Sequence, residues 1–232
     1  MKRLAFVLAS IFIAAKAPGE GITVQSTQGE VVVRHGVTES WTPAGAGELL
    51  RPHDSMKTGG TGAAVLSVST ATGTKTVALP AEVIVDMSDI RDLTQDELML
   101  KLTMEKVRGS SYRWDESDPA IPNAGVIHGT KKGSTRELTD NELRTGRLQL
   151  NGARVLFENG FFSTCVLRSM EVFRMYPDLR TSFEDRLMVA QALERARLRG
   201  EALLEYGAIA GLEGLSEEQL AVVRNRMQAL RN

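Results

Sequence analysis

The chain has 232 residues and a formal net charge of -1, from 28 basic and 29 acidic side chains. This length suits one or two domains that can each bury a core. The balanced charge argues against a nucleic-acid partner held by phosphate contacts. Cys165 is the only cysteine and the three histidines are scattered. We therefore expect no intramolecular disulfide, no metal site and no bound cofactor.

The N-terminus has the pattern of an export signal. Lys2 and Arg3 precede an apolar run at 4–15. This run suits the central region of a signal peptide and is shorter than the ~20 residues that a membrane span needs. The sequence predicts a signal peptide over 1–21, a periplasmic or otherwise exported location, and no membrane span after cleavage. The alternative is retention by an uncleaved N-terminal anchor.

Residues 22–86 and 141–232 differ sharply in composition. Val, Ile and Thr supply 22 of 65 residues in the first segment and 10 of 92 in the second. Branched residues favour strands, whereas Ala, Leu, Arg, Glu and Met favour helices. The sequence therefore predicts a multi-domain α+β protein with an all-β module before an all-α module. Short apolar runs predict strands at 22–24, 31–33, 63–69, 76–79 and 82–85.

The two modules are predicted to be joined by a helix and a linker. Thr94 and Glu97 have the spacing of a capping box and predict a helix over 94–107. The polar stretch 109–140 is predicted to be a linker or an irregular excursion. The β domain with its trailing helix is thus assigned to 22–108 and the helical domain to 141–232. Helices are predicted at 148–159, 161–176, 182–199, 201–209 and from 216.

Several turn motifs in the β module follow a common order. GEVVVRHG at 29–36 is followed by Trp41, AGELL at 46–50, DSMKTG at 54–59 and an alternating strand at 63–68. In this pattern the segment resembles the FecR domain of bacterial envelope proteins. The resemblance implies a fold of strands and glycine turns in an envelope protein, and its motifs specify structure rather than catalysis.

The helical module contains two segments of similar pattern, 37 residues apart. The first carries Ala153, Leu156, Gly160, Phe162, Cys165 and Pro177; the second carries Ala190, Leu193, Ala202 and Tyr206. In this spacing they resemble tetratricopeptide-type helical hairpins, with Arg197 where the turn glycine is expected. Since ~3 repeats usually make a free-standing array, a short helical bundle is the alternative.

Aromatic side chains are the candidate partner-binding residues. Five of the twelve aromatic residues lie within 157–176, a density above what one thin helical layer needs. Some of these rings are expected to be exposed or to cover the β module, and the alternative is that all five are core. Trp114, in polar sequence, is a further candidate contact. The candidate residues are Trp114, Phe161, Phe162, Phe173 and Tyr176.

These features favour a non-enzymatic periplasmic binding or scaffold protein with protein partners in the bacterial cell envelope. Cys165 is expected to be core filler because no histidine is near it in sequence. His53 and Asp54 are expected to lie in a solvated loop, without the further ligands that a metal needs. The alternative is a periplasmic sensory or regulatory protein whose FecR-like domain binds a small ligand or a cell-wall glycan.

Overall fold

A computed structural model describes residues 21–70, 73–109 and 138–232. The predicted signal peptide up to residue 20, Trp114 and the predicted linker from 110 to 137 lie outside the described residues. The described strands are β1 (Ile22–Gln28), β2 (Val31–Arg34), β3 (Thr42–Pro43), β4 (Leu49–Leu50), β5 (Ser55–Thr58), β6 (Ala63–Thr70), β7 (Gly73–Leu79) and β8 (Ile84–Asp86). The described helices are α1 (Gln95–Gly109), α2 (Asp140–Glu158), α3 (Phe162–Met175), α4 (Phe183–Arg195), α5 (Arg199–Ala210) and α6 (Glu217–Arg231).

The strands form two antiparallel sheets. The first sheet has the order β4-β1-β6-β7, and the second has the order β3-β2-β5-β8. Alternate residues of β6 are buried, including Ala64, Leu66 and Val68. Val33 and Met56 of the second sheet are also wholly buried. Because successive side chains on a strand point to opposite faces, each sheet keeps a second face that is free to line a site.

Three strands, the start of one helix and the end of another differ from the predicted elements. The helix predicted over 182–199 is α4, which ends at Arg195 because Arg197 has a positive φ. Strands β3, β4 and β5 have two to four residues each, too few for their own alternation to predict them. Helix α2 begins at Asp140 rather than at 148, with Thr139 and Glu142 forming a capping box. The predicted helix begins at 148, within the helical domain assigned to 141–232, because the first two turns of α2 are largely polar.

The helices form two successive hairpins, α2–α3 and α4–α5, followed by α6, and α2 also contacts α4. Gly160 follows α2 with φ +80, and Arg197 follows α4 with φ +62. The second hairpin therefore needs a left-handed residue where a glycine is expected, and arginine occupies it at a cost of about 1 kcal/mol. The chain is thus α+β, with an N-terminal β region and a C-terminal helical region.

The two regions are packed directly on each other. Helix α2 contacts β7 and β8, and α1 contacts α3. Buried residues from both regions belong to one continuous hydrophobic core. The closest approach is at Gly152, where a Cβ atom would lie 2.0 Å from the carbonyl oxygen of Ile84. Only a residue without a side chain lets α2 pack this closely against β8.

Across the described ranges, no helix combines the length and the apolar character that a membrane span requires.

Candidate functional site

The register of the second sheet brings a row of polar side chains to its outer face. Arg34 on β2 lies opposite Ser55 on β5, and Ser55 lies opposite Asp86 on β8. Directly opposed residues in an antiparallel pair share a face. Lys57 lies on the same face in the adjacent row, opposite Ile84. Three strands thus place two cations and one carboxylate on one surface.

Helix α2 forms the wall opposite this surface. Residues 141, 144, 145, 148 and 149 recur at the three- and four-residue spacing that places them on one side of a helix. Between wall and sheet lies a cleft of about 450 Å³, within the range of small-molecule sites. Its lining is Glu30, Arg34, Trp41, Lys57, Thr58, Gly59, Gly60, Glu82, Ile84, Asp86, Asn141, Arg144, Thr145, Leu148 and Gln149.

Arg34 is the cation held most firmly in the cleft. Its Nη2 atom donates to Ser55 Oγ at 3.1 Å. Its guanidinium carbon lies 5.1 Å from the centroid of the Trp41 ring, within the range of a cation–π contact. Its Nε atom is buried without a hydrogen-bond partner in the described parts of the chain. Arg34 is therefore positioned by its neighbours but keeps a donor unused.

Asp86 forms an ion pair on its other side with Arg168 of α3. Arg168 Nη2 contacts both Asp86 and, at 2.6 Å, Asp89, while Nη1 donates to Glu171 at 3.0 Å. Burial raises the pKa of Asp89, although Arg168 opposes this shift. Burial would lower the pKa of Arg168, but the three carboxylates outweigh it and hold that pKa above its usual value. This cluster ties the end of the second sheet to α3.

The remaining charges of the cleft are arranged by depth. Lys57 is half-buried and Arg144 is exposed, and neither has an ion-pair partner among the residues of the described ranges. Glu30 and Glu82 are exposed at the rim. Solvent screens charges at the rim more than charges at the floor. The floor around Arg34 and Lys57 is therefore the electropositive part of the cleft.

A second cleft of about 390 Å³ continues along α2 and shares Glu82, Arg144 and Leu148 with the first. It extends as far as Arg154 and Asp185, which form an ion pair at 2.7 Å between α2 and α4. The two clefts together make a surface that the β region, α2 and α4 all contribute to.

The aromatic candidates of the helical region lie mostly in the core. Phe161, Phe173 and Tyr176 are buried, at 2%, 7% and 8% exposure, because α3 and its ends are enclosed by α1, α2 and α4. They do not form an exposed contact surface. Phe161 does cover the β region, since Lys75 Nζ of β7 lies 4.3 Å from its ring centroid. Phe162 is half-buried beneath Arg195, at 5.6 Å.

Cys165 is wholly buried in α3. Burial raises the pKa of its thiol to about 12. Since the thiolate is the reactive form, this cysteine is held in its unreactive state at neutral pH. The expectation that it fills the core agrees with its place in the structure.

Asp54 differs from the expectation of a solvated loop residue, whereas its neighbour His53 is exposed. Asp54 is 2% exposed and accepts from the backbone N–H groups of Arg51, at 2.8 Å, and Gly36, at 3.1 Å. Burial alone would raise its pKa, but these donors and His35, at 3.3 Å, hold the pKa below its usual value. Asp54 therefore fastens two loops of the β region together. Within the described ranges, no three potential ligands are grouped as a metal site.

Asp54→Asn is expected to lower the free energy of unfolding by about 1–3 kcal/mol at pH 7, because an amide replaces one carboxylate oxygen acceptor with a donor. The folded-state pKa of Asp54 lies below its unfolded value, so its stabilisation is present above that unfolded value. It is lost as the pH falls through the folded pKa. Denaturation at pH 7 and pH 3 measures this, with exposed Asp178→Asn as the control. An equal deficit for Asp54→Asn at both pH values would contradict the role of its charge.

The sequence gives little warning of the cleft residues. Arg34, Lys57 and Arg144 lie far apart in the chain; Arg34 and Lys57 fall within the turn motifs at 29–36 and 54–59, which predict structure rather than a binding site. They come together through the register of β2 with β5 and through the first turns of α2. A cation at the end of a strand of valines, as at Arg34, is the one local signal that could have pointed to the site.

Comparison with known proteins places the chain in no group: no family model, no curated protein and no solved structure matches it.

Proposed function

We propose that the chain is a non-enzymatic binding protein of the cell envelope that is exported to the periplasm. In this proposal a FecR-like β region and a tetratricopeptide-like helical region together bind protein partners. The observation that supports this most is the cleft at their junction. Its floor comes from the second sheet and its wall from α2, so the surface exists only while the two regions are joined. A junction between domains is a common location for a binding site.

The cations of the cleft suit the binding of an anion. Arg34, Lys57 and Arg144 bring guanidinium and ammonium groups to one space, and both groups hold carboxylates and other anions by charge-assisted hydrogen bonds. Trp41 and Ser55 fix the guanidinium of Arg34 in place. Such preorganisation lowers the entropy that a binding partner must lose.

A second candidate function is a sensory protein whose FecR-like region binds a small ligand or a cell-wall glycan. The observation that favours it is Trp41, which is half-buried at the cleft. An aromatic ring beside polar side chains can contact both the apolar and the polar parts of a small ligand. Both functions use the same cleft and differ in what occupies it.

The export signal is tested by a reporter that is active only outside the cytoplasm, fused after Val24. We expect the fusion to be active, because residues 2–15 have the charge and apolar run that the export machinery recognises. A matched fusion without residues 4–15 should be inactive. Retention of the first fusion in the cytoplasm would contradict the proposed compartment.

Protein docking at the cleft is tested by a photoreactive amino acid in place of Asn141 in the full chain, expressed in cells. Gln228 on α6 is the matched control, since both positions are exposed on helices. We expect a specific adduct from position 141 that Arg144→Glu weakens, and none from position 228. Equal adducts from both positions would contradict docking at the cleft.

A further inference from the structure

We infer that the junction cleft binds an organic monocarboxylate and that Arg34 receives the carboxylate. This inference rests on the proposed binding function, to which it adds the chemistry of the ligand. It depends on the guanidinium of Arg34, which Ser55 and Trp41 hold at the cleft, on the two further cations and on the acidic rim.

Arg34 has the geometry of an incomplete carboxylate site. Its Nη2 atom is occupied by Ser55, and its buried Nε atom has no partner in the described ranges. The carboxylate nearest in the strand register, Asp86, is already engaged by Ser55 and Arg168. A carboxylate matches the planar fork of a guanidinium. Since Arg34 lines the cleft, a ligand carboxylate there can pair with the part of the guanidinium that faces the cleft.

Two further cations face the same space. Lys57 lies on the outer face of the sheet, two residues from Ser55, which is opposite Arg34. Arg144 lies on the side of α2 that lines the cleft. Among the described residues neither forms an ion pair. An anion between the sheet and α2 would therefore have a cation on each side.

The rim limits how much negative charge the cleft can accept. Glu30 and Glu82 are exposed there. They would repel a polyanion such as a phosphate chain, whereas a single carboxylate can pass to the floor. The carboxylate oxygens of Glu30 and Glu82 can also accept hydrogen bonds from hydroxyl or amine groups of a ligand. The arrangement fits a ligand with one carboxylate and a polar body.

The remaining lining fits the body of such a ligand. Trp41 offers aromatic surface, and Asn141 and Gln149 offer amide groups that both donate and accept hydrogen bonds. An acidic sugar and the carboxylate end of an amino acid derivative share this chemistry. The cleft volume of about 450 Å³ accommodates a small ligand of either kind.

Calorimetric titration of the purified full chain tests the inference. The probes are glucuronate against glucose, N-acetylglycine against N-acetylglycinamide, and inorganic phosphate. We expect at least one carboxylate to bind about tenfold or more tightly than its neutral counterpart, because a hydrogen bond to a charged group strengthens binding by that order. The carboxylate with the larger preference identifies the source as sugar or amino acid. The inference would be overturned if, in both pairs, the acid and its neutral counterpart bind equally tightly. Tighter binding of phosphate than of either carboxylate would overturn it as well.

Substitutions locate the carboxylate. Arg34→Gln is expected to weaken carboxylate binding about tenfold or more, and Arg34→Lys to restore part of it. Arg195→Gln is the matched control, since Arg195 also lies over an aromatic ring but on α4, and it should leave the affinity unchanged. Carboxylate affinity that survives Arg34→Gln would overturn the assignment. If Arg34→Gln does not fold, carboxylate binding is measured for Lys57→Gln and Arg144→Gln instead. The inference then requires that each of these two substitutions weakens carboxylate binding.

These results separate the inference from the proposed function. If position 141 gives specific adducts but neither carboxylate binds more tightly than its neutral counterpart, the inference is overturned and the proposed function is not. A carboxylate preference that depends on Arg34, without adducts from position 141, supports the inference and contradicts docking of a protein partner.

Discussion

Replacing Gly152 with alanine is expected to lower the free energy of unfolding by about 1–3 kcal/mol, the usual cost of overpacking a tight contact. The new Cβ would lie 2.0 Å from the carbonyl oxygen of Ile84 and would meet a side-chain atom of Val85 at 3.2 Å. The first of these is a backbone atom that cannot rotate away. Helix α2 must therefore move from β8, and the junction loosens.

The control for this substitution is Gly207→Ala in α5. A Cβ at position 207 would meet nothing within 4 Å, so this variant should gain about 1 kcal/mol from the better helix propensity of alanine. Denaturant unfolding followed by circular dichroism measures both variants. If Gly152→Ala is as stable as Gly207→Ala, α2 does not depend on this close approach.

Arg168→Met is expected to cost about 3–5 kcal/mol at neutral pH, the usual cost of removing one partner from a buried ionic cluster. The side chain of Arg168 is 14% exposed and contacts three carboxylates, two of them in the β region. Without it, Asp86 and Asp89 lose their shared cation. Methionine keeps much of the length and apolar contact of the arginine stem, so the loss reports the charge.

The cost of Arg168→Met is expected to depend on pH. Burial already raises the folded-state pKa of Asp89, and Arg168 partly opposes that shift. A group whose folded pKa lies above its unfolded pKa loses its stabilising contribution as the pH rises through the folded value. Removing Arg168 raises the pKa of Asp89 further, so the variant should lose more stability at pH 7 than at pH 4.

Unfolding of Arg168→Met at these two pH values checks this, beside the double variant Asp89→Asn/Arg168→Met. The added amide removes a buried charge and should recover part of the lost stability at pH 7. Exposed Arg180→Met is the control and should change stability little. An Arg168→Met deficit that is the same at both pH values would show that Asp89 does not carry the effect.

The elements that the sequence predicts are those with one apolar face. Strand β6 alternates buried and half-buried residues along its length, and this period of two is readable without a structure. The change from branched residues to Ala, Leu and Arg likewise predicted the order of β region and helical region. These patterns can be read from the sequence because the spacing of apolar residues follows from which face each element buries.

Two of the elements that the sequence missed help to build the cleft. Strand β5 contributes Ser55 and Lys57 to the outer face of its sheet, and the first turns of α2 contribute Asn141 and Arg144. Polar residues in these segments resemble loop residues, since nothing in the local pattern tells which strand or helix they will face. Their positions follow from register and from packing between distant segments.

The aromatic residues show a related limit. Composition showed that rings concentrate in 157–176, but it could not tell which neighbours would enclose them. Phe161 and Phe173 are buried because α3 has neighbours on several sides. The left-handed position at Arg197 shows the reverse: a repeat-like pattern located a turn that requires positive φ although the residue there is not glycine.

Native-state hydrogen exchange of the full chain tests most directly whether the β and helical regions form one unit, on which the cleft depends. The Val24 amide donates to Glu48 in the first sheet, and the Cys165 amide donates to Phe161 at the start of α3; both Val24 and Cys165 are wholly buried. If one core holds the regions together, both amides exchange through the same global opening. Their opening free energies should then be equal and should fall together in Gly152→Ala. Unequal opening free energies, with only one of the two amides responding to Gly152→Ala, would show two independent domains and contradict the account.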